Sequence, residues 1–221
     1  DIATATGQSP SGRLTAILEE LVESGFVHSS PPYGKRVKDK IYRLADEYSL
    51  FYLHWIENWR GEKSGGWQKI RGTPKWRGWS GNAFETLCLR HIAQVKAALG
   101  IAGVSTEEAS WRYQPSDEDE TGAQIDLLID RADMCINLCE MKFSEAEFVI
   151  EKSYANRLRE RRETFRRLTK TKKNAFLTFV TTNGVKSNAY ARELVDSSVT
   201  MDALFEPTHK VKMELPGSLV F

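Results

Sequence analysis

Hydrophobic residues recur at helical spacing in the first patterned segment of the chain, SGRLTAILEELVESGF, which begins at Ser11. The spacing predicts an amphipathic helix with Ser11 as its N-cap and Gly25 near its C-terminal end. A short apolar step at Phe26 and Val27 follows, then turn residues with basic charge, and then the apolar segment IYRL. These features predict two short strands joined by a basic hairpin.

The order helix, strand, basic hairpin, strand is typical of a winged helix, and we place this domain at residues 1–45. The turn-forming residues before Ser9 are similar to the end of a preceding helix and its turn. We therefore expect this winged helix to be truncated on its N-terminal side and the chain to be a fragment of a longer protein.

Residues 46–78 are interpreted as an aromatic linker. The segment from Asp46 to Trp59 is apolar almost all round, which predicts a helix buried between two domains. Five glycines and Pro74 between residues 60 and 78 predict a loop, and Trp67 and Trp76 are expected to anchor it by packing.

Residues 79–206 predict an α/β domain in the order helix, three strands, helix, strand. The first helix is expected to begin at Ser80 and to end at Gly100. The later elements are predicted from these segments: strands at SWRYQ, AQIDLLID and MCINLCEMKF, a basic helix from about Glu151 to Leu168, a strand at NAFLTFVTT, a helix at Lys186 to Val195, and a helical turn near Leu204. The tail, residues 207–221, has no pattern that predicts a structure.

The composition is that of a soluble globular protein. Of the 221 residues, 41% are hydrophobic and 28% are charged, which excludes disordered and fibrous classes. The longest apolar runs are far shorter than a membrane span, so we expect no membrane association. Cys88, Cys135 and Cys139 lack the spacing of a zinc or redox pair, which favours a cytoplasmic location.

Charge is unevenly distributed although the formal net charge is only +1. Between Glu151 and Lys173 there are ten basic residues and three acidic ones. Two interpretations remain open: a solvated helix face, or a surface that follows a phosphate backbone. The acidic run from Asp117 to Glu120 is expected to lie in an exposed loop and has no predicted chemistry.

Alternation along two neighbouring strands places three charged residues where they can meet. Asp126 lies between apolar residues, and Glu140 and Lys142 share one face of the next strand because they are two residues apart. Two carboxylates suit a hard cation such as Mg²⁺ or Mn²⁺, and a lysine beside them can orient water or stabilise a phosphate. The competing interpretation is an ordinary solvated strand face.

The segments GNAFE, QIDLLID and CEMK in this element order resemble the PD-(D/E)XK nuclease superfamily, whose core is restriction-endonuclease-like. The longer pattern over residues 1–206 is similar to the C-terminal region of prokaryotic AAA-type ATPases, which joins a winged helix to such a domain. The resemblance implies that Asp126 and Glu140 are metal ligands, that Lys142 is the catalytic lysine, and that Glu85 assists the metal or a second one.

The same resemblance implies DNA as a partner, the ATPase domain of the parent chain as another, and a homodimer as one possible assembly. Candidate DNA contacts are Arg13, Thr15, Lys35, Arg36 and Lys38 in the winged helix, with Lys152, Arg157 and Arg161 on the basic helix. No G-x-x-x-x-G-K-[ST] loop occurs in the sequence, so we expect no ATP binding by these residues. The expected function is a Mg²⁺-dependent DNA phosphodiesterase; the alternative is a non-catalytic module that binds DNA or a partner.

Overall fold

The computed structural model describes residues 2–34, 40–57, 66–115 and 122–208. Its N-terminal part contains two helices and a two-stranded sheet. Helices α1 (Ile2–Thr6) and α2 (Gly12–Glu23) precede antiparallel strands β1 (Val27–Ser30) and β2 (Ile41–Leu44). We call residues 2–45 the N-terminal unit.

Both predicted ends of α2 are confirmed. The Ser11 hydroxyl accepts a hydrogen bond from the Leu14 backbone N–H at 3.4 Å, as an N-cap does. Gly25 has a φ of +79°, in the left-handed region where glycine carries no steric penalty, and its N–H donates to the Val22 carbonyl. Lys35, Arg36 and Lys38, between the two strands, lie outside the described residues.

The aromatic segment after the N-terminal unit is less buried than the sequence predicts. Helix α3 (Glu47–Phe51) continues into a π-helical turn over Tyr52–Ile56, in which Trp55 is buried but Leu53 is 50% exposed. Phe51 and Trp55 pack against Trp67, whereas Tyr48 and Tyr52 are exposed and contact each other. The prediction of a helix buried between domains is therefore wrong for the side of this segment that carries Leu53. The prediction that Trp67 packs is confirmed.

The long helix that follows starts earlier than predicted. After α4 (Gly66–Ile70), helix α5 spans Pro74–Arg90, so it begins six residues before Ser80. The Thr73 hydroxyl accepts from the Trp76 N–H at 3.2 Å, and proline is well suited to the first helical position because the N–H it lacks would have no helical partner there. Helix α6 (Ile92–Ala98) continues the chain after a break at His91.

A five-stranded mixed sheet is the centre of residues 74–208, which we call the core unit. Its strands, in their order across the sheet, are β3 (Thr106–Tyr113), β4 (Ala123–Arg131), β5 (Cys135–Lys142), β6 (Asn174–Thr181) and β7 (Ser197–Thr200). The first three are antiparallel and the last three are parallel. The α/β class and the strands β3 to β6 agree with the prediction, whereas β7 was not predicted.

Helices cover both faces of this sheet. Helix α7 (Lys152–Thr169) packs Leu158 and Phe165 on one face, where α8 (Ala189–Leu194) also lies. Helices α5 and α6 cover the other face through residues such as Phe84 and Val95, and a 3-10 helix (Met201–Phe205) follows β7. Within the described parts of the chain, no helix has both the length and the hydrophobicity that crossing a membrane requires.

The three cysteines are free thiols in very different surroundings. Burial raises the pKa of Cys88 to about 12 and also raises the pKa of Cys139, which lies on the same side of the sheet. Cys135 is only partly buried, at the start of β5. A thiol reagent reacts with an accessible thiolate, and burial disfavours both access and ionisation at Cys88 and Cys139. Cys135 is therefore the thiol that such a reagent can reach.

We predict that one thiol of the native protein reacts rapidly with a disulfide reagent at pH 8, and that three react after denaturation. The count is measured by absorbance of the released thiolate. Cys135→Ser should abolish the rapid phase and leave two slow thiols. Rapid reaction of two or more thiols in the native wild type would contradict the burial of Cys88 and Cys139.

Candidate acidic site

Asp126 and Glu140 lie at the same end of two neighbouring strands. The last paired residues of β4 and β5 are Leu127 and Cys139, so Asp126 comes one residue beyond that pairing, where the register of β4 against β3 is irregular. Both carboxylates act on Arg161: Glu140 is its ion-pair partner, and the charge of Asp126 raises the pKa of Arg161. Lys142 is two residues beyond Glu140, and its Nζ lies 3.5 Å from Glu140 Oε2.

Glu140 is a buried carboxylate, with only 5% of its side chain exposed. Helix α7 supplies two partners: the Tyr154 hydroxyl donates to Glu140 Oε2 at 2.7 Å, and the Arg161 guanidinium donates to Glu140 Oε1. These residues are seven apart and so lie on one face of the helix. Without such partners, the loss of water around a buried charge would cost several kcal/mol.

The N-terminal unit contributes a further cation, Arg43, from β2. Its Nη1 donates to Glu85 Oε2 at 2.9 Å, and its Nη2 donates to Asp126 Oδ1 at 3.3 Å. The same Asp126 oxygen accepts from Gln124 Nε2 at 2.6 Å. A single guanidinium thus bridges carboxylates from α5 and β4.

Electrostatic coupling joins these groups into one cluster. Burial raises the pKa of Glu85, and the negative charge of Asp126 raises it further, whereas Arg43 and Lys142 act in the opposite direction. Burial lowers the pKa of Arg161, and Asp126 opposes that change. We call the three carboxylates Glu85, Asp126 and Glu140, with Lys142, Arg43 and Arg161, the acidic site.

A basic cleft of about 350 Å³ lies beside the acidic site, between α7 and the start of β4. Arg161 and Gln124 line it, and both also bond to carboxylates of the acidic site. Its other lining residues are Gly122, Ala123, Arg157, Glu160, Thr164 and Arg167. Arg157 and Arg167 are exposed and make no ion pair with another described residue.

The structure brings together the four residues for which the resemblance implied metal or catalytic roles. Of the predicted DNA contacts on α7, Arg157 lines the cleft, Arg161 is engaged by Glu140, and Lys152 is exposed near the start of the helix. Arg161 bonds to the buried Glu140 carboxylate, which requires its charge, and a contact of Arg161 with phosphate stays a prediction.

The predicted contacts in the N-terminal unit lie apart from this cluster. Arg13 and Thr15 are exposed on α2, and neither has a hydrogen bond or ion pair with a described residue of the acidic site. Thr15 instead donates its hydroxyl to the Ser11 carbonyl at 3.3 Å. The residue that does reach the site, Arg43, was missed; its only signal is a charge inside the apolar strand segment IYRL.

The acidic site has enough carboxylates for a Mg²⁺ or Mn²⁺ ion that takes its remaining ligands from water or substrate. Across the described ranges, no group of three or more His, Cys, Asp or Glu side chains has the arrangement of a metal site. Mg²⁺ binds through only one or two protein carboxylates and retains water or substrate oxygens. Asp126 and Glu140, which both act on the Arg161 guanidinium, supply two such carboxylates.

Comparisons with known proteins add no relative: no family model, no curated protein and no solved structure matches the chain.

We predict that Arg161→Ala lowers the free energy of unfolding by about 2–4 kcal/mol, because the buried Glu140 carboxylate loses the cation bonded directly to it and keeps only Lys142, at 3.5 Å. Urea unfolding followed by tryptophan fluorescence measures the change. Arg166→Ala, which removes an exposed charge from the same helix, should change stability by less than about 0.5 kcal/mol.

The single variants Arg161→Ala and Glu140→Gln and the double variant form a double-mutant cycle, which measures the interaction energy between residues 140 and 161. The double variant should be more stable than Arg161→Ala alone, because a neutral amide costs less to bury than a carboxylate that has lost Arg161. Equal losses from Arg161→Ala and Arg166→Ala would contradict the assigned ion pair.

Proposed function

We propose that the core unit is a metal-dependent phosphodiesterase that acts on DNA. The observation that carries the proposal is the convergence of Asp126, Glu140 and Lys142 from two adjacent strands, with Glu85 joined to Asp126 through Arg43. Two carboxylates next to a lysine suit phosphoryl transfer, in which catalysis is mostly positioning and charge neutralisation.

Each residue has a definite part in this proposal. Asp126 and Glu140 would hold Mg²⁺, which when bound polarises the phosphate and lowers the pKa of water. Lys142, whose side chain is 32% exposed and whose ammonium lies next to Glu140, would orient the attacking water or stabilise developing negative charge. Tyr154 keeps Glu140 in place, because its hydroxyl bonds the carboxylate from α7.

The family assignment is part of the same proposal. A mixed sheet between helical layers, with two antiparallel strand pairs followed by two parallel pairs, is compatible with a restriction-endonuclease-like core. Together with the segments GNAFE, QIDLLID and CEMK, it supports the resemblance to the C-terminal region of AAA-type ATPases. We therefore propose DNA and the ATPase domain of a parent chain as partners.

A second candidate function is a non-catalytic module that binds DNA or a partner. The specific observation in its favour is that the site carboxylates are already paired with arginine, Glu85 and Asp126 with the shared Arg43 and Glu140 with Arg161. Ion pairs of this kind also occur in purely structural positions. Catalysis and binding therefore have to be measured separately.

For catalysis, we predict Mg²⁺- or Mn²⁺-dependent cleavage of labelled linear, branched or single-stranded DNA. Asp126→Asn and Lys142→Ala should each reduce the rate at least about 100-fold, because they remove a metal ligand and a charge at the phosphate. Gel electrophoresis of the products measures the rate.

The matched control is Glu107→Gln, which removes an exposed acid on β3 and should cleave like the wild type. Equal cleavage by Asp126→Asn and the wild type would show that the activity comes from elsewhere. Binding of DNA without cleavage of any form, in the presence of either metal, would favour the non-catalytic candidate.

For binding, we predict that Arg157→Ala and Arg167→Ala each weaken DNA affinity several-fold and reduce the slope of log K against log salt by about one. Fluorescence anisotropy with EDTA present measures binding alone. Arg159→Ala is the matched control: it lies on the same helix but is paired with Glu193 at 2.7 Å outside the cleft lining. Equal losses in all three variants would argue against the cleft as the contact surface.

A further inference from the structure

Arg43 is the one residue of the N-terminal unit found bonded to carboxylates of the acidic site within the described ranges. We propose that its guanidinium competes with a divalent cation for Asp126, so that cation binding at this carboxylate and the Arg43–Asp126 ion pair exclude each other. The N-terminal unit would thereby restrain the site of the core unit. This inference rests on the proposed function, because it concerns the regulation of the same site.

Hydrogen-bond geometry makes the competition direct. Asp126 Oδ1 already accepts from both Arg43 and Gln124, so a cation bound at that oxygen has to displace a donor. A guanidinium and a divalent ion that share one carboxylate oxygen would also lie within several ångströms of each other, where like charges repel strongly.

Charge balance leads to the same conclusion. The acidic site contains three carboxylates, Glu85, Asp126 and Glu140, and three cations, Arg43, Lys142 and Arg161. A divalent ion added to this balanced set creates an excess of positive charge. The release of one arginine to solvent lowers that excess at small cost, provided that the arginine can reach water.

Arg43 is better placed for release than Arg161. Its side chain is 33% exposed, and its partners Glu85 and Asp126 are 21% and 29% exposed. Arg161 instead neutralises Glu140, which is almost completely buried, so its departure would be costly. Cation binding should therefore open the Arg43 contacts and leave α7 in position.

Cation binding at the acidic site and the docking of the N-terminal unit through Arg43 influence each other, because the two equilibria are linked. Arg43 lies on β2, opposite His28 of β1, so its bonds to Glu85 and Asp126 help to hold the two-stranded sheet against the core unit. If a partner draws Arg43 away and so raises the affinity of the site for the cation, bound cation raises the affinity for that partner by the same factor. Partner binding to the N-terminal unit can thus change cation binding at the acidic site.

The test is Mn²⁺ binding to the full chain, measured by electron paramagnetic resonance of free Mn²⁺ and by calorimetry. We expect Arg43→Ala and Arg43→Gln to bind about tenfold more tightly than the wild type, because the competing cation is gone. Lys96→Ala is the matched control. It breaks an ion pair within the core unit, between Lys96 of α6 and Glu108 of β3 at 2.7 Å, without touching the acidic site, and should leave the affinity unchanged.

The outcomes separate this inference from the proposed function. Equal or weaker Mn²⁺ binding by both Arg43 variants, with wild-type binding that Asp126→Asn abolishes, overturns the competition and leaves the metal site standing. No binding to the wild type or to either variant overturns the metal site and the inference together. Two Arg43 substitutions are used so that a folding defect in one, detected by circular dichroism, does not decide the result.

Discussion

The need to neutralise one buried carboxylate, Glu140, constrains the arrangement of the core unit. Glu140 faces α7 because it alternates along β5 with Cys139 and Met141, which pack on the opposite face of the sheet. Helix α7 must then present Tyr154 and Arg161 to β5. The same orientation seats its apolar residues, such as Phe165, against the sheet. Charge compensation and hydrophobic packing therefore specify a single rotation of α7 and reinforce each other.

The less buried carboxylates are neutralised from a different part of the chain. Glu85 and Asp126 take their positive charge from Arg43 of the N-terminal unit. This compensation is incomplete because one guanidinium faces two carboxylates, and burial together with the charge of Asp126 raises the pKa of Glu85. Residues that remain electrostatically unfavourable in the folded state are a common feature of functional sites, where stability is exchanged for reactivity. Glu140 is thus almost completely buried and held by α7, whereas Glu85 is 21% exposed and paired with the N-terminal unit.

Local sequence signals predicted the elements well where they were strong and failed where pairing or capping decided the outcome. The N-cap at Ser11 and the alternation along β4 and β5 were sufficient for α2 and for the two site strands. The start of α5 was misplaced because the glycines and tryptophans before Ser80 suggest a loop, whereas the Thr73 cap and Pro74 begin the helix. Strand β7, with the polar sequence SSVT, exists through its parallel pairing with β6 and has no apolar run of its own.

The sequence by itself determined the α/β class, the shared face of Glu140 and Lys142, and a close approach of Asp126, because strand alternation and hairpin order follow from local spacing. Only the tertiary structure decided which cations balance these carboxylates. Arg161 is 21 residues from Glu140, and Arg43 is 83 residues from Asp126, so neither ion pair has a local signature. Long-range charge pairs depend on how helices and units pack, and packing is a property of the whole chain.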